Sequence, residues 1–314
     1  MNSESGRLAA LIEHIRLPTL LTGKPEAQRL FHGRGHAFPG FSHITIDHLP
    51  STVLITVFKP ESPALLQPLA SWLHDKIPGC EAVVLQHREQ LSGPMEVLRG
   101  TPPETAFPVI ENGLQYRIQL GRNRNTGLFL DMANGRRWVR ENSHGKRILN
   151  LFAYTCGFSV AAIAGGARSV VNIDMSSPAL SIGRENHRLN KHPLECVRFE
   201  KLDIFRSFGR IRKHGPYDLL VCDPPTRQKG SVDIERDYPK ILRRLSQFMA
   251  AERDLLLCLN APELGRDFLL DAVARNAPQY RHVTDIKPPD VFVEAQGKGL
   301  KTLHFRALPA NHWE

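Results

Sequence analysis

The spacing of hydrophobic positions changes character along the chain. Before about residue 120, apolar and β-branched residues alternate with polar ones between turn signals in HITIDHLP and TVLITVF, which predicts strands. ALLQPLASWLHDKI has the spacing of an amphipathic helix, with Pro68 near its first turns. EAVVLQHRE and QYRIQL predict further strands. This part of the chain therefore predicts a small α+β domain.

After Lys146 the pattern becomes a regular alternation of strand and helix. Strands are predicted at RILNLFA, SVVNIDM, CVRFEK, YDLLVCD and DLLLCLN, and helices follow them, as in FSVAAIAGG and SPALSIGRENHRLN. Such an alternation implies βαβ units and an α/β fold with a mostly parallel sheet. The patterns divide the chain into an N-terminal helical extension (1–28), a small α+β domain (29–120) and a larger α/β domain (121–314).

Composition narrows the class of protein. The net charge of +9 and the pI near 9.5 suit a polyanionic partner, of which nucleic acid is the usual one; the alternative is a basic protein without such a partner. The five cysteines are scattered and form no CxxC pair, which argues against a zinc site and for reduced thiols. No apolar stretch is long enough to span a bilayer, and MNSESGRLAALIEHIRL does not read as a signal peptide. We therefore expect a cytoplasmic protein without a metal or a membrane partner.

Ligands of such sheets bind at the carboxyl ends of the strands, so residues there matter most for chemistry. The first strand runs into NLFAYTCGFS, where Gly157 is the only glycine, so the G-x-G-x-x-G pattern that a pyrophosphate needs is missing. Asp174 ends the second strand, where a carboxylate accepts hydrogen bonds from ribose hydroxyls, although it could instead cap the next helix. Asp203 could accept from an adenine amine or cap a helix. A nucleoside-bearing cofactor without a pyrophosphate favours S-adenosylmethionine over NAD.

The fourth strand ends in VCDPPTRQKG. Proline fixes its own φ and restricts the residue before it, so Pro224 and Pro225 would hold Asp223 in one extended geometry. Rigid acceptors beside a methyl donor can orient an amine or a base edge for in-line attack. The alternative is a simple turn after a buried strand.

Three stretches carry a family resemblance: NTGLFLDMANGRRWV, RILNLFAYTCGFSVAAIAGGARSVVNIDMS and VCDPPTRQKG. Together they resemble the class I methyltransferases that modify bacterial large-subunit ribosomal RNA, over roughly Arg29 to Leu308. The likeness is nearest to the 7-methylguanosine-forming domain of the fused enzyme, and the 5-methylcytosine-forming relatives share the same plan. The resemblance implies a Rossmann-like domain with a mostly parallel seven-stranded sheet, preceded by a small α+β domain.

The resemblance also implies residue roles. Phe129, Asp131 and Arg136 would belong to the segment that closes over the methionine part of the cofactor. The other implied cofactor contacts lie in the first loop and at the ends of the following strands: Asn150, Phe152, Tyr154, Gly157, Asp174, Met175, Asp203 and Asp223. Asp223, Pro224 and Pro225 would form the transfer site. The family usually has an arginine where this chain has Ala133, so one contact is lost or supplied from elsewhere.

The choice of target atom depends on whether the chain has a cysteine that could act as a nucleophile. Methylation at C5 of a pyrimidine needs a cysteine that adds to the ring, and in relatives this cysteine follows the fifth strand in a Ser-Cys-Ser turn. Here Cys258 lies one place earlier, inside LLLCLN, and reads as a buried thiol, while Cys156 lies in the cofactor loop. A guanine ring nitrogen needs no covalent helper, so we favour it.

Basic residues near the predicted site would contact RNA phosphates: Arg227, Lys229, Lys298 and Lys301. For each of them a solvated loop is the alternative. Three other functions stay open: methylation of a protein or small molecule, 5-methylcytosine formation in RNA, and RNA binding with weak catalysis. The sequence does not indicate the oligomeric state.

Overall fold

The chain forms two compact units, which the computed structural model describes over residues 4–18, 24–121, 125–225, 232–295 and 297–308. The first unit comprises Met1–Asp131 and Pro289–Gln296, and the second comprises Met132–Pro288 and Gly297–Glu314. The first unit thus extends past residue 120, where the sequence suggests a domain boundary. It also includes the segment Pro289–Gln296 from late in the chain. The predicted RNA contacts Arg227 and Lys229 lie outside the described residues.

The described α-helices are distributed over both units. They are α1 Glu4–Glu13, α2 Pro63–Lys76, α3 Ala133–Glu141, α4 Gly157–Ala164, α5 Ser177–Leu189, α6 Phe208–Lys213, α7 Ile234–Leu242 and α8 Arg266–Asn276. Among the described residues, no helix is long and apolar enough to cross a membrane, and no group of three His, Cys, Asp or Glu side chains could hold a metal ion.

The described strands form three sheets. In the first unit they are β1 Gln28–His32, β2 Ile44–Leu49, β3 Thr52–Val57, β4 Ala82–His87, β5 Met95–Gly100, β6 Phe107–Glu111 and β7 Leu114–Ile118. In the second unit they are β8 Arg147–Leu151, β9 Ser169–Asp174, β10 Val197–Lys201, β11 Tyr217–Cys222, β12 Met249–Leu259, β13 Tyr280–Asp285 and β14 Lys301–Ala307.

The first unit is built on a five-stranded sheet in the order β1-β2-β3-β4-β5. Only β3 and β4 pair in parallel, and α2 makes the crossover between them. Ser62 caps α2 by accepting a hydrogen bond from the Ala64 N–H at 3.1 Å, and Pro63 follows at the first helical position, which suits its fixed φ. Strands and helix together form the predicted small α+β arrangement.

Helix α1 packs into the core of the first unit. Its Leu11 is fully buried in a cluster with Leu65 of α2 and Ile46 of β2. Arg7 donates two hydrogen bonds to the Glu61 carboxylate, at 3.1 and 2.7 Å. The helical extension therefore docks against this domain.

The second unit carries a seven-stranded sheet in the order β10-β9-β8-β11-β12-β14-β13. All neighbours from β10 to β12 pair in parallel, whereas β14 pairs antiparallel with both β12 and β13. The strand order reverses beside β8, so the switch point, where ligands of such sheets bind, lies between β8 and β11. The predicted mostly parallel seven-stranded sheet is thereby confirmed.

Helices cover both faces of this sheet. On one face, residues such as Leu149, Leu220 and Leu257 pack against α6, α7 and α8, and on the other Ile148, Val221 and their neighbours pack against α3 and α4. Successive strand residues point to opposite faces, so strands covered on both sides must be apolar throughout. This is why RILNL and YDLLVC are mainly hydrophobic, and why Asn150 and Asp223, at or just after the carboxyl ends of these strands, stand out.

Candidate active site

The carboxyl ends of the central strands bring together most of the residues singled out in the sequence. Asn150 of β8 is in register with Asn172 of β9 and with Val221 of β11, and Asp174 of β9 is in register with Lys201 of β10. Asp174 and Asp223 therefore reach the same edge of the sheet as the loop that follows β8.

The loop after β8 has an unusual backbone. Phe152, Tyr154 and Cys156 have φ values of 58°, 48° and 62°, in the left-handed region that non-glycine residues rarely adopt. Each such residue costs about 1–2 kcal/mol, so the surrounding contacts must hold the loop in place. Two of these contacts are backbone hydrogen bonds, from the Ala153 N–H to Ile173 O at 3.0 Å and from the Cys156 N–H to Ala153 O at 2.7 Å. Sequence reasoning did not find this geometry.

The bent loop points a backbone donor at Asp174. The Tyr154 N–H donates to Asp174 Oδ2 at 2.8 Å, and the Ser176 N–H donates to Asp174 Oδ1 at 2.7 Å. Ser176 itself caps α5 by accepting from the Ala179 N–H at 3.3 Å, so the cap is not Asp174. Each carboxylate oxygen can accept two hydrogen bonds, and each receives one of these backbone N–H groups. The geometry thus gives Asp174 capacity to accept from a pair of hydroxyls.

Apolar and acidic groups flank Asp174 on the same edge. Met175 is 60% exposed although it is a large hydrophobic residue. Asp203 caps a 3-10 helix, Ile204–Arg206, because its Oδ1 accepts from the Phe205 N–H at 2.9 Å. The ring of Phe205 lies 6.4 Å from the ring of Phe152. An exposed thioether, aromatic rings and a carboxylate are the groups that a purine base would use.

A chain of buried polar side chains runs beneath the loop. Asn150 Nδ2 donates to Asn172 Oδ1 at 2.9 Å, and Asn172 Nδ2 donates to Ser159 Oγ at 3.0 Å. Ser159 Oγ lies 2.9 Å from His187 Nε2, and burial lowers the pKa of His187 to about 3, so the ring is neutral. Because Asn172 Nδ2 also donates to Arg198 O, the amide orientations of both asparagines are fixed. Asn172, Ser159 and His187 are functional candidates that sequence reasoning missed.

The predicted transfer site directly follows β11. Asp223 is half-buried, Pro224 is buried and Pro225 is half-buried. The residue before Asp223, Cys222, pairs with Leu151 of β8 and Leu257 of β12, so the start of this segment is anchored in the centre of the sheet.

The remaining predicted residues are dispersed. Phe129, which is 44% exposed, and Asp131 belong to the first compact unit, whereas Arg136 is buried in α3 of the second. Lys298 is exposed, and Lys301 is half-buried as the first residue of β14 rather than part of a loop.

The cysteines are mostly buried. Cys258 has no exposed surface and lies inside β12, paired with Thr302 of β14, as expected for a structural thiol. Burial raises the pKa of the Cys156 and Cys222 thiols, and nearby aspartates raise it further. Cys80 belongs to the core of the first unit, and Cys196 precedes the amino end of β10, at the opposite edge of the sheet from Asp174. None of these thiols has the setting of an activated nucleophile.

Comparison with known proteins identifies the family. The S-adenosylmethionine-dependent methyltransferase family matches residues 28–306. Ribosomal RNA large subunit methyltransferase I of Erwinia tasmaniensis is 29% identical over 206 residues, which are 64% of this chain and 51% of that protein. The protein of the same name from Shigella boydii serotype 18 is 31% identical, with the same coverage. The chain therefore spans about half the length of the curated relatives it matches.

Solved structures share the fold. A methyltransferase crystallised with SAH superposes with a TM-score of 0.83 at 22% identity, covering 98% of this chain and 82% of that one. A SAM-dependent methyltransferase from Streptococcus mutans gives a TM-score of 0.82 at 22% identity, with coverage of 97% and 82%. The tRNA m1G37 methyltransferase of M. jannaschii gives 0.61 at 13% identity, with coverage of 86% and 77%. The match over 28–306 and these folds confirm the predicted family, its cofactor S-adenosylmethionine and the predicted fold class: the chain belongs to the S-adenosylmethionine-dependent methyltransferases.

Proposed function

We propose that this chain transfers a methyl group from S-adenosylmethionine to a base of ribosomal RNA in the cytoplasm, and that the acceptor is a ring nitrogen of guanine. The curated relatives are named as ribosomal RNA large subunit methyltransferases. The net charge of +9 suits a polyanionic substrate. Both observations favour RNA over a protein or a small molecule.

The cofactor would be held by the edge formed by β8, β9 and β10. When bound, S-adenosylmethionine supplies a methyl group whose carbon a nucleophile can attack, and the sulfonium sulfur leaves as a neutral thioether. Asp174 would accept from the two ribose hydroxyls, Met175 would cover one face of the adenine, and Asp203 would accept from its amino group. Asn150 and the bent loop Phe152–Gly157 would line the rest of the site, and Phe129, Asp131 and Arg136 would close over the methionine part.

The transfer site would act by positioning. The N7 atom of guanine is an acceptor that carries no proton, so its attack needs no general base. Asp223 can accept hydrogen bonds from N–H donors of the same base, and Pro224 limits the backbone angles of Asp223. Holding two reactants in line lowers the activation barrier by several kcal/mol, and by about 7–11 kcal/mol in the most favourable cases.

The burial of the cysteines is the observation that carries this choice of target. Formation of 5-methylcytosine requires a thiolate that can reach the pyrimidine ring. Cys258, the nearest equivalent in sequence, is fully buried between β11 and β14, and burial raises the pKa of Cys156 and Cys222. All five cysteines lie among the described residues, and none is an exposed thiol at the carboxyl edge of the sheet.

RNA would be guided by basic residues and by the small domain. Lys298 is exposed, and we assign it to phosphate contacts together with Arg227 and Lys229. The ammonium group of Lys301 is buried, so this lysine is not assigned that role. We propose the domain at 29–120 as a second contact with RNA, separate from the catalytic domain at 121–314.

The test is transfer of tritiated methyl from S-adenosylmethionine to an extract of cells that lack this gene, followed by separation of RNA, protein and small molecules. We expect label in the large ribosomal RNA with the wild-type protein and loss of label with Asp223→Ala. Asp218→Ala is the matched control, because Asp218 lies near the start of β11, where it contacts Arg253 and the Arg147 N–H, whereas Asp223 follows the end of this strand. Label confined to protein or small molecules would reject RNA as the substrate.

A further inference from the structure

Tyr238 connects the ends of two central strands beside the transfer site. It lies on α7 and is only 2% exposed. Its hydroxyl is 2.7 Å from the carbonyl oxygen of Cys258 and 3.1 Å from that of Cys222. Because its ring is buried, Tyr238 cannot stack on a base of the substrate, so its role must be exerted from within the core.

The position of the hydroxyl follows from how α7 packs. Ile234, Ile241 and Leu242 of this helix are buried in the same cluster as Leu220 and Leu257 of the sheet, so the tyrosine ring points at the strands. A buried phenol must find a partner for its O–H group. A hydroxyl carries one hydrogen, so the two carbonyls share it in a three-centre bond that ties β11 to β12.

The shared hydrogen bond acts on Asp223 through the backbone. The Cys222 carbonyl belongs to the peptide group that joins Cys222 to Asp223, so holding this oxygen fixes the peptide plane on the amino side of Asp223. Pro224 restricts the backbone on the carboxyl side. The two constraints together leave Asp223 little freedom to turn.

We propose that Tyr238 is a positioning residue for methyl transfer: its hydroxyl fixes the peptide plane before Asp223 and thereby the direction in which the Asp223 carboxylate meets the acceptor. This inference rests on the proposed function of Asp223. Burial raises the pKa of Tyr238 well above its usual value, and the nearby Cys222 and Cys258 raise it further, so the hydroxyl remains a neutral donor.

The chain offers a matched control in Tyr217. This tyrosine is also fully buried in the second unit, and its hydroxyl donates to the carbonyl of Ile211 at 2.9 Å. It begins β11, whereas Tyr238 acts where β11 ends. Tyr238→Phe and Tyr217→Phe each remove one buried hydroxyl from backbone carbonyls, so they should lower stability alike, by a few degrees in Tm.

The experiment measures methyl transfer and S-adenosylmethionine binding for the wild type and both variants. The acceptor is the fraction of cell extract that the wild type labels, and rates are expressed per binding-competent protein. We expect Tyr238→Phe to lower kcat by about tenfold, the equivalent of about 1.4 kcal/mol, with the KM for S-adenosylmethionine unchanged. Tyr217→Phe should retain the wild-type kcat.

Several outcomes would reject the inference. Equal kcat values in the two variants, whether both normal or both low, would make the hydroxyl a structural group only. Failure of Tyr238→Phe to yield protein that binds the cofactor, beside a folded Tyr217→Phe, would make it a folding requirement. Label in a fraction other than RNA would contradict the proposed substrate, and the kcat values of the two variants would still decide the role of Tyr238. Absence of label in every fraction would contradict both the proposed function and the role of Tyr238.

Discussion

Gly183 controls how closely α5 approaches the bent loop Phe152–Gly157, which we propose lines the cofactor site. A Cβ atom placed on Gly183 would lie 2.4 Å from Cys156 Sγ and 2.9 Å from Cys156 Cβ. Cys156 is fully buried and has a φ of 62°, so it has little room to move away. The loop that Cys156 belongs to also provides the Tyr154 N–H that holds Asp174. A methyl group at position 183 should therefore displace this loop and disturb the proposed cofactor site.

The expected size of the effect comes from two opposing contributions. Overpacking of a dense core costs about 1–3 kcal/mol. Replacing a glycine inside a helix by alanine raises the free energy of unfolding by about 1 kcal/mol. Gly183→Ala should therefore lower the free energy of unfolding by at most about 2 kcal/mol. If the loop shifts enough to break the Tyr154 N–H bond to the Asp174 carboxylate, worth about 1.5–3 kcal/mol, affinity for S-adenosylmethionine should fall about tenfold or more.

The assay combines urea unfolding with calorimetric titration of S-adenosylmethionine. Gly209→Ala is the control, because this glycine also lies in a helix but a Cβ there would have no atom within 4 Å. That change should be neutral or slightly stabilising and should leave affinity unaltered. Adding Cys156→Gly to Gly183→Ala removes the opposing thiol and suits the positive φ, so the double variant should regain affinity.

This prediction fails if Gly183→Ala behaves like Gly209→Ala in both measurements. It also fails if Gly183→Ala loses stability while cofactor affinity stays at the wild-type value, since the clash would then be absorbed without moving the loop. An affinity of the double variant no better than that of Gly183→Ala would show that Cys156 is not the obstacle.

Three further predictions concern stability. Asp254 is 5% exposed, and although burial raises its pKa, hydrogen bonds from His304, Arg306 and Lys146 lower the pKa overall. Asp254→Asn should lower the free energy of unfolding by about 3 kcal/mol in urea at pH 7. The difference between variant and wild type should vanish as the pH falls through the low pKa that Asp254 has in the folded state. Leu11→Ala should cost about 2–5 kcal/mol because Leu11 is fully buried, whereas the exposed Leu91→Ala should cost almost nothing in the same denaturation experiment. Burial lowers the pKa of His187 to about 3, so on unfolding the chain takes up a proton that the folded chain excludes. The stability that comes from the neutral ring is complete above the unfolded pKa of about 6.5 and is lost as the pH falls below it. Burial also lowers the pKa of His32 and His48, so the free energy of unfolding of His187→Gln should fall less than that of the wild type between pH 7 and pH 5, without becoming independent of pH.

The second unit was predictable because its strands are covered on both faces. Stretches such as LLVC and RILNL are mainly apolar, and each is followed by a helix, so strand, helix and parallel pairing followed from local pattern. Asp174 and Asp223 stood out because a carboxylate ended such a run. The positions of these residues needed no knowledge of distant contacts.

The small domain was less predictable because some of its strands lack a buried face. No residue of β5 is fully buried, so no apolar alternation marks it, and β6 contains Pro108, which weakens its reading as a strand. The hairpin between β6 and β7 did have a local mark, Asn112-Gly113, whose φ values of 51° and 72° are those of a tight turn. The return of residues 289–296 to the first unit depends on contacts that are remote in sequence.

The hydrogen bonds and backbone conformations that support the candidate site could not be predicted from the sequence. Asn172, Ser159 and His187 lie on a strand and two helices, and only the packed fold brings them into one hydrogen-bonded chain. The left-handed conformations of Phe152 and Tyr154 are equally invisible in sequence, because no glycine or asparagine marks them. Tertiary contacts override local preference at these positions.

The identity of the methylated nucleoside tests the account most directly. RNA labelled by the wild type and by Cys258→Ala would be digested to nucleosides and separated by chromatography with mass detection. We predict a methylguanosine modified on the ring, formed by both proteins, because Cys258 is buried away from any substrate. Label in 5-methylcytidine that disappears with Cys258→Ala would contradict the account, since it would require a covalent cysteine where the structure has a core thiol.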